Sequence, residues 1–155
     1  MYKLEDAIMK LDDILENWKI DCEISKTHLD ESSRQTPMLH AKYLEMLMKS
    51  KLMLKRLEFQ QKVLLRQKWE WYNGKMDQDT IEKLGWKLDP LNGLKVMKGD
   101  MNLYYDSDPN IQESEERIQY YKTIIDTLTN IVDTLKWRHQ TLRNMIDWRR
   151  FESGS

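Results

Sequence analysis

Cations and aromatic rings alternate in one short stretch of the sequence, residues 66–74, which runs RQKWEWYNG. Cationic side chains contact phosphates and aromatic rings stack on bases of any identity, so this combination is typical of proteins that bind single-stranded nucleic acid. The stretch therefore predicts such contacts at Arg66, Lys68, Trp69, Trp71 and Tyr72. The alternative is that the rings pack into a core beside the following turn.

The first residues of this stretch are also the end of a longer basic segment. Residues 49–68 contain seven cations and a single acid, Glu58. On a helical wheel four of the cations lie within about 60° of one another: Lys51, Lys55, Lys62 and Arg66. Apolar side chains form a separate stripe, made of Met46, Met53, Leu57, Leu64 and Trp71. The pattern predicts a helix that buries one face and presents nucleic-acid-binding cations on another, although a charged stripe is also typical of a solvated face.

Acidic residues are concentrated elsewhere. The first 31 residues hold nine acids and four lysines, and residues 100–116 hold six acids and no base. These segments are either solvated faces or contact surfaces for basic partner proteins or a neighbouring subunit.

The sequence contains no pattern that indicates catalysis. Its five glycines form neither a dinucleotide-binding fingerprint nor a phosphate-binding loop. The three histidines are far apart, and a Cys22–His28 pair supplies at most half of a metal site. We therefore predict a non-enzyme with no catalytic residues, no metal and no cofactor.

Composition favours helices over sheets. Only five Gly and three Pro occur in 155 residues, so the tight turns of a many-stranded sandwich or barrel are excluded. The net charge of −1 excludes a globally basic nucleic-acid binder but not a locally basic one. Apolar runs of at most three residues predict no membrane contact, and the lone Cys22 is typical of a protein of the cytoplasm.

Apolar periodicity predicts two helices in an N-terminal part, residues 1–73. The first covers residues 3–19 and is indicated by Leu4, Ile8, Leu11, Leu15 and Trp18. Residues 20–35 are less regular. Thr36 and Pro37 form a helix-start signal, and Gly74 a helix-end signal, so we expect a second helix over residues 38–72. At roughly 50 Å, such a helix is too long to be covered by a small monomer.

Glycine and proline cluster in residues 74–110, which are predicted to be an irregular connecting segment. A short helix is expected near residues 79–84, or a small hairpin near residues 94–105.

A C-terminal helix is predicted from Pro109 to Phe151, and we assign residues 111–155 to oligomerisation. Apolar residues spaced three and four apart run over about four heptads, as in a coiled coil or bundle. The residues predicted to contact a partner helix are Ile125, Leu128, Val132, Leu135, Leu142, Ile146 and Phe151, with His139 interrupting the stripe. The predicted fold is thus mainly α, built of long amphipathic helices with a small irregular or hairpin-containing middle segment, and we expect the chain to self-associate.

Three segments together resemble the UvsY family of recombination mediators of T-even-like phages. They are the opening Leu4-Glu5-Asp6, the basic-to-aromatic stretch 66–74, and the ending IDWRRFESG at residues 146–154. The similarity runs along nearly the whole chain in order, and it is weakest in residues 19–35 and 75–110.

The resemblance implies a small protein of the infected host's cytoplasm that forms a hexameric or heptameric ring. It implies binding to single-stranded DNA, displacement of the phage single-stranded-DNA-binding protein, and loading of a RecA-like phage recombinase. The family's DNA-binding basic pair falls on Arg66 and Lys68, and its ring-assembly segment on the helix that ends at Phe151.

Two other functions stay open on the sequence. One is a non-catalytic helical scaffold or adaptor without a specific nucleic-acid function. The other is a protein that binds RNA or double-stranded DNA, and the preference among nucleic acids separates it from a single-strand binder, because stacking rings need unstacked bases.

Overall fold

A computed structural model describes residues 10–154 of the chain. It contains five helices, and no strand occurs among the described residues. The helices are α1 (Leu11–Asp21), α2 (Leu29–Tyr72), α3 (Gln78–Leu84), α4 (Met101–Ser107) and α5 (Pro109–Glu152). The mainly α fold is therefore confirmed. None of the described helices is apolar enough over a sufficient length to cross a bilayer.

The described chain forms two compact units. The first contains the described residues up to Met53 and those from Tyr121 onward. The second is Leu54–Tyr120, so both long helices contribute to both units.

The core of the first unit brings α1 together with parts of α2 and α5. Its buried members are Ile14, Tyr43, Leu47, Ile124, Leu128, Ile131, Val132 and Leu135. Trp18 packs its ring edge-on against Tyr43, with centroids 5.4 Å apart. The predicted first helix is thus described from Leu11 to Asp21, whereas its predicted residues Leu4 and Ile8 lie outside the described range.

Polar contacts fix the end of α1 to the other two helices. Asp21 accepts hydrogen bonds from the Lys42 ammonium at 2.6 Å and the Tyr43 hydroxyl at 2.8 Å. The Arg138 guanidinium, on α5, donates to the carbonyl oxygens of Asp21, Cys22 and Glu23 at 3.1–3.4 Å. The last carbonyls of a helix have no partner within it and carry negative charge, so a cation stabilises them.

Helix α2 begins at Leu29, and the predicted start at Thr36 and Pro37 is wrong. Pro37 lies inside the helix, where it lacks the N–H that would donate to the fourth residue before it. The first turn is held instead by Ser32, whose N–H donates to the His28 carbonyl oxygen at 3.1 Å. Leu29 and Ser32 are both buried, so packing also stabilises these first turns.

The middle of the chain is more helical than predicted in one place. The short helix expected near residues 79–84 is confirmed as α3, and Asp77 caps it by accepting from the Thr80 N–H at 2.9 Å. The hairpin expected near residues 94–105 is wrong, because Met101–Ser107 is helical. Gly74 and Gly85 follow α2 and α3 with φ of +65° and +69°, a conformation that disfavours side chains with a Cβ.

Helix α5 runs without interruption, as predicted, but most of its apolar stripe faces the chain's own core. Leu128, Val132 and Leu135 pack in the first unit, Leu142 is also buried, and Ile125 is partly buried. The expectation that these residues contact a partner subunit is therefore corrected. A period of 3.5 shows that a stripe faces another helix, but it does not show which chain that helix belongs to. Among the predicted partner contacts, Ile146 and Phe151 are exposed.

We predict that Leu128→Ala lowers the free energy of unfolding by about 2–5 kcal/mol, because it opens a cavity in this core. Leu52→Ala is the control, since Leu52 is 70% exposed on α2, and its effect should stay within about 0.5 kcal/mol. Urea denaturation followed by circular dichroism measures both. A Leu128→Ala protein that keeps its stability and only changes its oligomeric mass would contradict the intramolecular core.

Candidate nucleic-acid interface

One face of α2 in the second unit carries exposed cations and rings in alternation. Its members follow one another at intervals of four, three, four and three residues, and all are exposed: Lys55, Phe59, Lys62, Arg66 and Trp69. These intervals keep side chains on one side of an α-helix. We call these five residues the basic–aromatic stripe. Lys51, also predicted to bind DNA, is exposed one turn earlier on the same helix, in the first unit.

The aromatic members of the stripe each lie beside a lysine. The Lys55 and Lys62 ammonium groups are 5.3 and 5.7 Å from the Phe59 ring centroid. The Lys75 ammonium is 4.4 Å from the Trp69 centroid. Phe59 is absent from the predicted set, although its position between Lys55 and Lys62 on the wheel was a readable signal.

The cations of the stripe stay in contact with solvent. Lys55 pairs with Glu58 at 3.5 Å, and Arg66 with Glu70 at 3.7 Å. Exposed pairs of this kind contribute at most about 1 kcal/mol and are screened by salt. A phosphate can therefore replace either carboxylate at little cost.

Lys68 does not belong to this face, which corrects its predicted contact with phosphate. Its side chain is 2% exposed, and its ammonium lies 3.0 Å from Asp108 Oδ2 and 2.8 Å from Asn110 Oδ1. It also lies 3.9 Å from the Trp86 ring centroid. The reason is geometric: residues two apart on a helix point about 200° away from each other, so Lys68 turns inward where Arg66 turns outward.

The partner of Lys68, Asp108, also caps the start of α5. Asp108 Oδ1 accepts from the N–H groups of Asn110 at 2.9 Å and Ile111 at 3.2 Å, while Oδ2 accepts from the Tyr72 hydroxyl at 2.7 Å. Burial raises the pKa of Asp108, but the hydrogen bonds from Tyr72 and Lys68 outweigh it, so the pKa lies below its usual value. Asp108 is therefore ionised at neutral pH.

Trp71 and Tyr72, both predicted to stack on bases, are half-buried and pack within the second unit. The Trp71 indole N–H donates to the Lys87 carbonyl oxygen at 2.7 Å, and its ring centroid is 5.2 Å from that of Trp86. The Tyr72 ring is 5.5 Å from the Tyr104 ring. These two rings hold the end of α2 in place, and both are less exposed than Trp69.

A metal centre is not formed by the part of the chain that the structure describes. No group of three or more His, Cys, Asp or Glu side chains there is placed to hold a metal ion.

We predict that Lys68→Met destabilises the fold strongly, because it leaves the Asp108 carboxylate buried without a counter-charge. The free energy of unfolding should fall by about 3–5 kcal/mol. Lys62→Met, on the exposed stripe, is the matched control and should change it by about 0.5 kcal/mol or less. Equal stability of the two variants in urea denaturation would argue against the buried pair.

The lowered pKa of Asp108 also predicts an acid-dependent loss of stability. Because the folded pKa lies below the unfolded one, the unfolded state takes up a proton first as pH falls. This stabilisation is complete above the ordinary aspartate pKa of about 3.9 and is lost as pH falls through the lower folded value. In Asp108→Asn the stability difference between pH 6 and pH 3 should be smaller than in the wild type, as measured by urea denaturation at each pH. If the stability difference between pH 6 and pH 3 is the same in Asp108→Asn as in the wild type, Asp108 is not the source of the acid-dependent loss.

Comparisons with known proteins give one consistent result. Residues 17–155 match the family model of the recombination, repair and single-stranded-DNA-binding protein UvsY. The chain is 27% identical to the recombination protein uvsY of Enterobacteria phage T4 over 146 residues, which is 94% of this chain and 99% of that relative.

The fold is similar to that of crystal structures of the bacteriophage T4 recombination mediator protein UvsY. The lattice type II structure superposes with a TM-score of 0.78 at 26% identity, covering 94% of this chain and 98% of the other. The lattice type I structure gives a TM-score of 0.77 at 25% identity, with coverages of 90% and 98%.

Proposed function

This chain belongs to the UvsY family of recombination, repair and single-stranded-DNA-binding proteins, and we propose that it is a recombination mediator without catalytic activity of its own. It binds single-stranded DNA through the basic–aromatic stripe of α2. The observation that carries the proposal is the exposed alternation of cations and rings from Lys55 to Trp69 on a helix whose opposite face is buried.

The stripe matches the chemistry of a single strand. Lys55, Lys62 and Arg66 contact successive phosphates, and Trp69 stacks on a base. Bases in a duplex are already stacked on each other, so an exposed ring favours a single strand. Contacts with phosphates release counterions, so binding should weaken steeply as salt rises.

Repetition of the stripe in a ring of six or seven subunits raises the affinity. Each subunit offers few cations, but one strand that reaches several subunits gains avidity from their effective concentration. With most of the α5 stripe buried, the assembly proposal depends on the exposed apolar residues near the end of this helix: Ile146, Trp148 and Phe151.

A strand held this way is bent and drawn away from a competing single-stranded-DNA-binding protein, and is presented to a RecA-like recombinase in the host cytoplasm. Acidic residues near the start of α5 offer a surface to basic partner proteins. Asp108 is excluded from that surface because it is buried, whereas Glu113, Glu115 and Glu116 are exposed.

The test is fluorescence anisotropy with labelled oligo-dT across a salt titration, with duplex DNA as competitor. In the variant Lys55→Ala/Lys62→Ala/Arg66→Ala, affinity should fall at least about tenfold, and the slope of log K against log salt should become shallower by about 2, or 0.7 for each lost phosphate contact. The matched control removes three exposed cations elsewhere: Lys19→Ala/Lys83→Ala/Lys136→Ala.

Binding by wild type that duplex cannot displace, with loss only in the stripe variant, supports the proposal. Failure of the wild type to bind at low salt would leave a helical scaffold. An unchanged salt slope in the stripe variant would place the DNA on another face.

A further inference from the structure

We infer that Phe59 is a base-stacking residue, and that it and Trp69 form two separate stacking positions on one strand. This rests on the proposed function, because it assigns a further contact to the same single-stranded DNA. The observation behind it is a phenyl ring that is 55% exposed between two lysine ammonium groups.

The ring is not needed by the core. On the same helix, Leu57 is 4% exposed and Met53 is 6% exposed, and both lie on the buried side. Phe59 lies on the opposite side, within the stripe. The ring is therefore accessible to a ligand once the two exposed lysines that lie over it turn toward the phosphates on either side of a stacking base.

The distance between the two rings indicates what strand conformation they accept. Ten residues separate Phe59 from Trp69, which is roughly 15 Å along a helix axis. Neighbouring bases in a stacked strand are about 3.4 Å apart, so the two rings cannot hold adjacent bases. Each ring takes one base from an unstacked strand, while Lys62 and Arg66 contact the phosphates between them. A strand opened in this way is incompatible with pairing to a complement.

An exposed apolar ring can also contact a second copy of the chain. Val63, which is 51% exposed, lies one turn after Phe59 on α2. Two lysines at the ring argue for DNA, because charged residues, lysine in particular, are depleted in the core of protein interfaces. The control for general apolar contact is therefore Val63→Ala, and the control for the π-face is Phe59→Leu.

The experiment compares two strands of equal length and charge, oligo-dT and an abasic oligomer, at one salt concentration. Phe59→Ala and Phe59→Leu should each weaken binding to oligo-dT about fivefold or more and leave binding to the abasic strand unchanged. Phe59→Trp should bind oligo-dT as tightly as the wild type, because it keeps an aromatic ring at this position. Val63→Ala should leave both affinities unchanged, and the oligomeric mass of every variant should equal that of wild type by light scattering.

Several outcomes would overturn the inference while the proposed function stands. They are an equal loss on both strands, full affinity in Phe59→Leu, or a changed oligomeric mass in Phe59→Ala, which would assign the ring to a contact between copies. Wild-type protein that binds neither strand would instead refute the proposed function together with this inference.

Discussion

The buried ion pair between Lys68 and Asp108, together with the buried Leu57, fixes which side of α2 faces solvent in the second unit. Two charges removed from water are costly unless they are paired and their remaining hydrogen-bonding groups are satisfied. Here Asn110 accepts a hydrogen bond from Lys68, and Tyr72 and the N–H groups that begin α5 donate hydrogen bonds to Asp108. With Lys68 held inward, helix geometry turns Arg66 and Trp69 outward, and the rest of the stripe follows at intervals of three and four residues. The position of the proposed DNA contacts is therefore set by a residue that does not touch DNA.

Asp108 connects this pair to the backbone of α5, and the two roles reinforce each other. Its carboxylate accepts from the Lys68 ammonium on one oxygen and from the free N–H groups of a helix start on the other. Both contacts favour the ionised form, as does the positive end of the helix dipole. Tyr72 adds a fourth donor, and its own pKa is raised by burial and by this hydrogen bond. The end of α2 and the beginning of α5 are thereby joined by charge as well as by packing.

Local patterns in the sequence were enough to predict the long helices but not their surroundings. Gly74 and the uninterrupted run after Pro109 gave correct helix limits, because each signal is local. The Thr36–Pro37 signal was wrong because α2 already begins at Leu29, within turns where Leu29 and Ser32 are buried, and continues past Pro37. Asp108–Pro109 is also a capping residue followed by proline, and here the helix does start, since Asp108 caps α5. Charge alone likewise could not separate Lys68 from Arg66, because what distinguishes them is a partner forty residues away in the sequence.

The apolar stripe of α5 shows the same limit of local patterns, because its period indicates packing against a helix without identifying the chain to which that helix belongs. A chain that buries Leu128, Val132 and Leu135 against its own α1 and α2 has already used the best packing surface that the sequence offers. Exposed rings near the C-terminal end of α5 remain available for the proposed contact with a second copy, and there the Trp148 and Phe151 ring centroids lie 5.6 Å apart beside Arg149 and Arg150. An interface of few aromatic anchors can still be specific, because such residues contribute most of the binding energy where they are fully desolvated. The proposed self-association would use residues of α5, and the proposed DNA binding would use the stripe of α2, so the two proposed functions involve different residues of the chain.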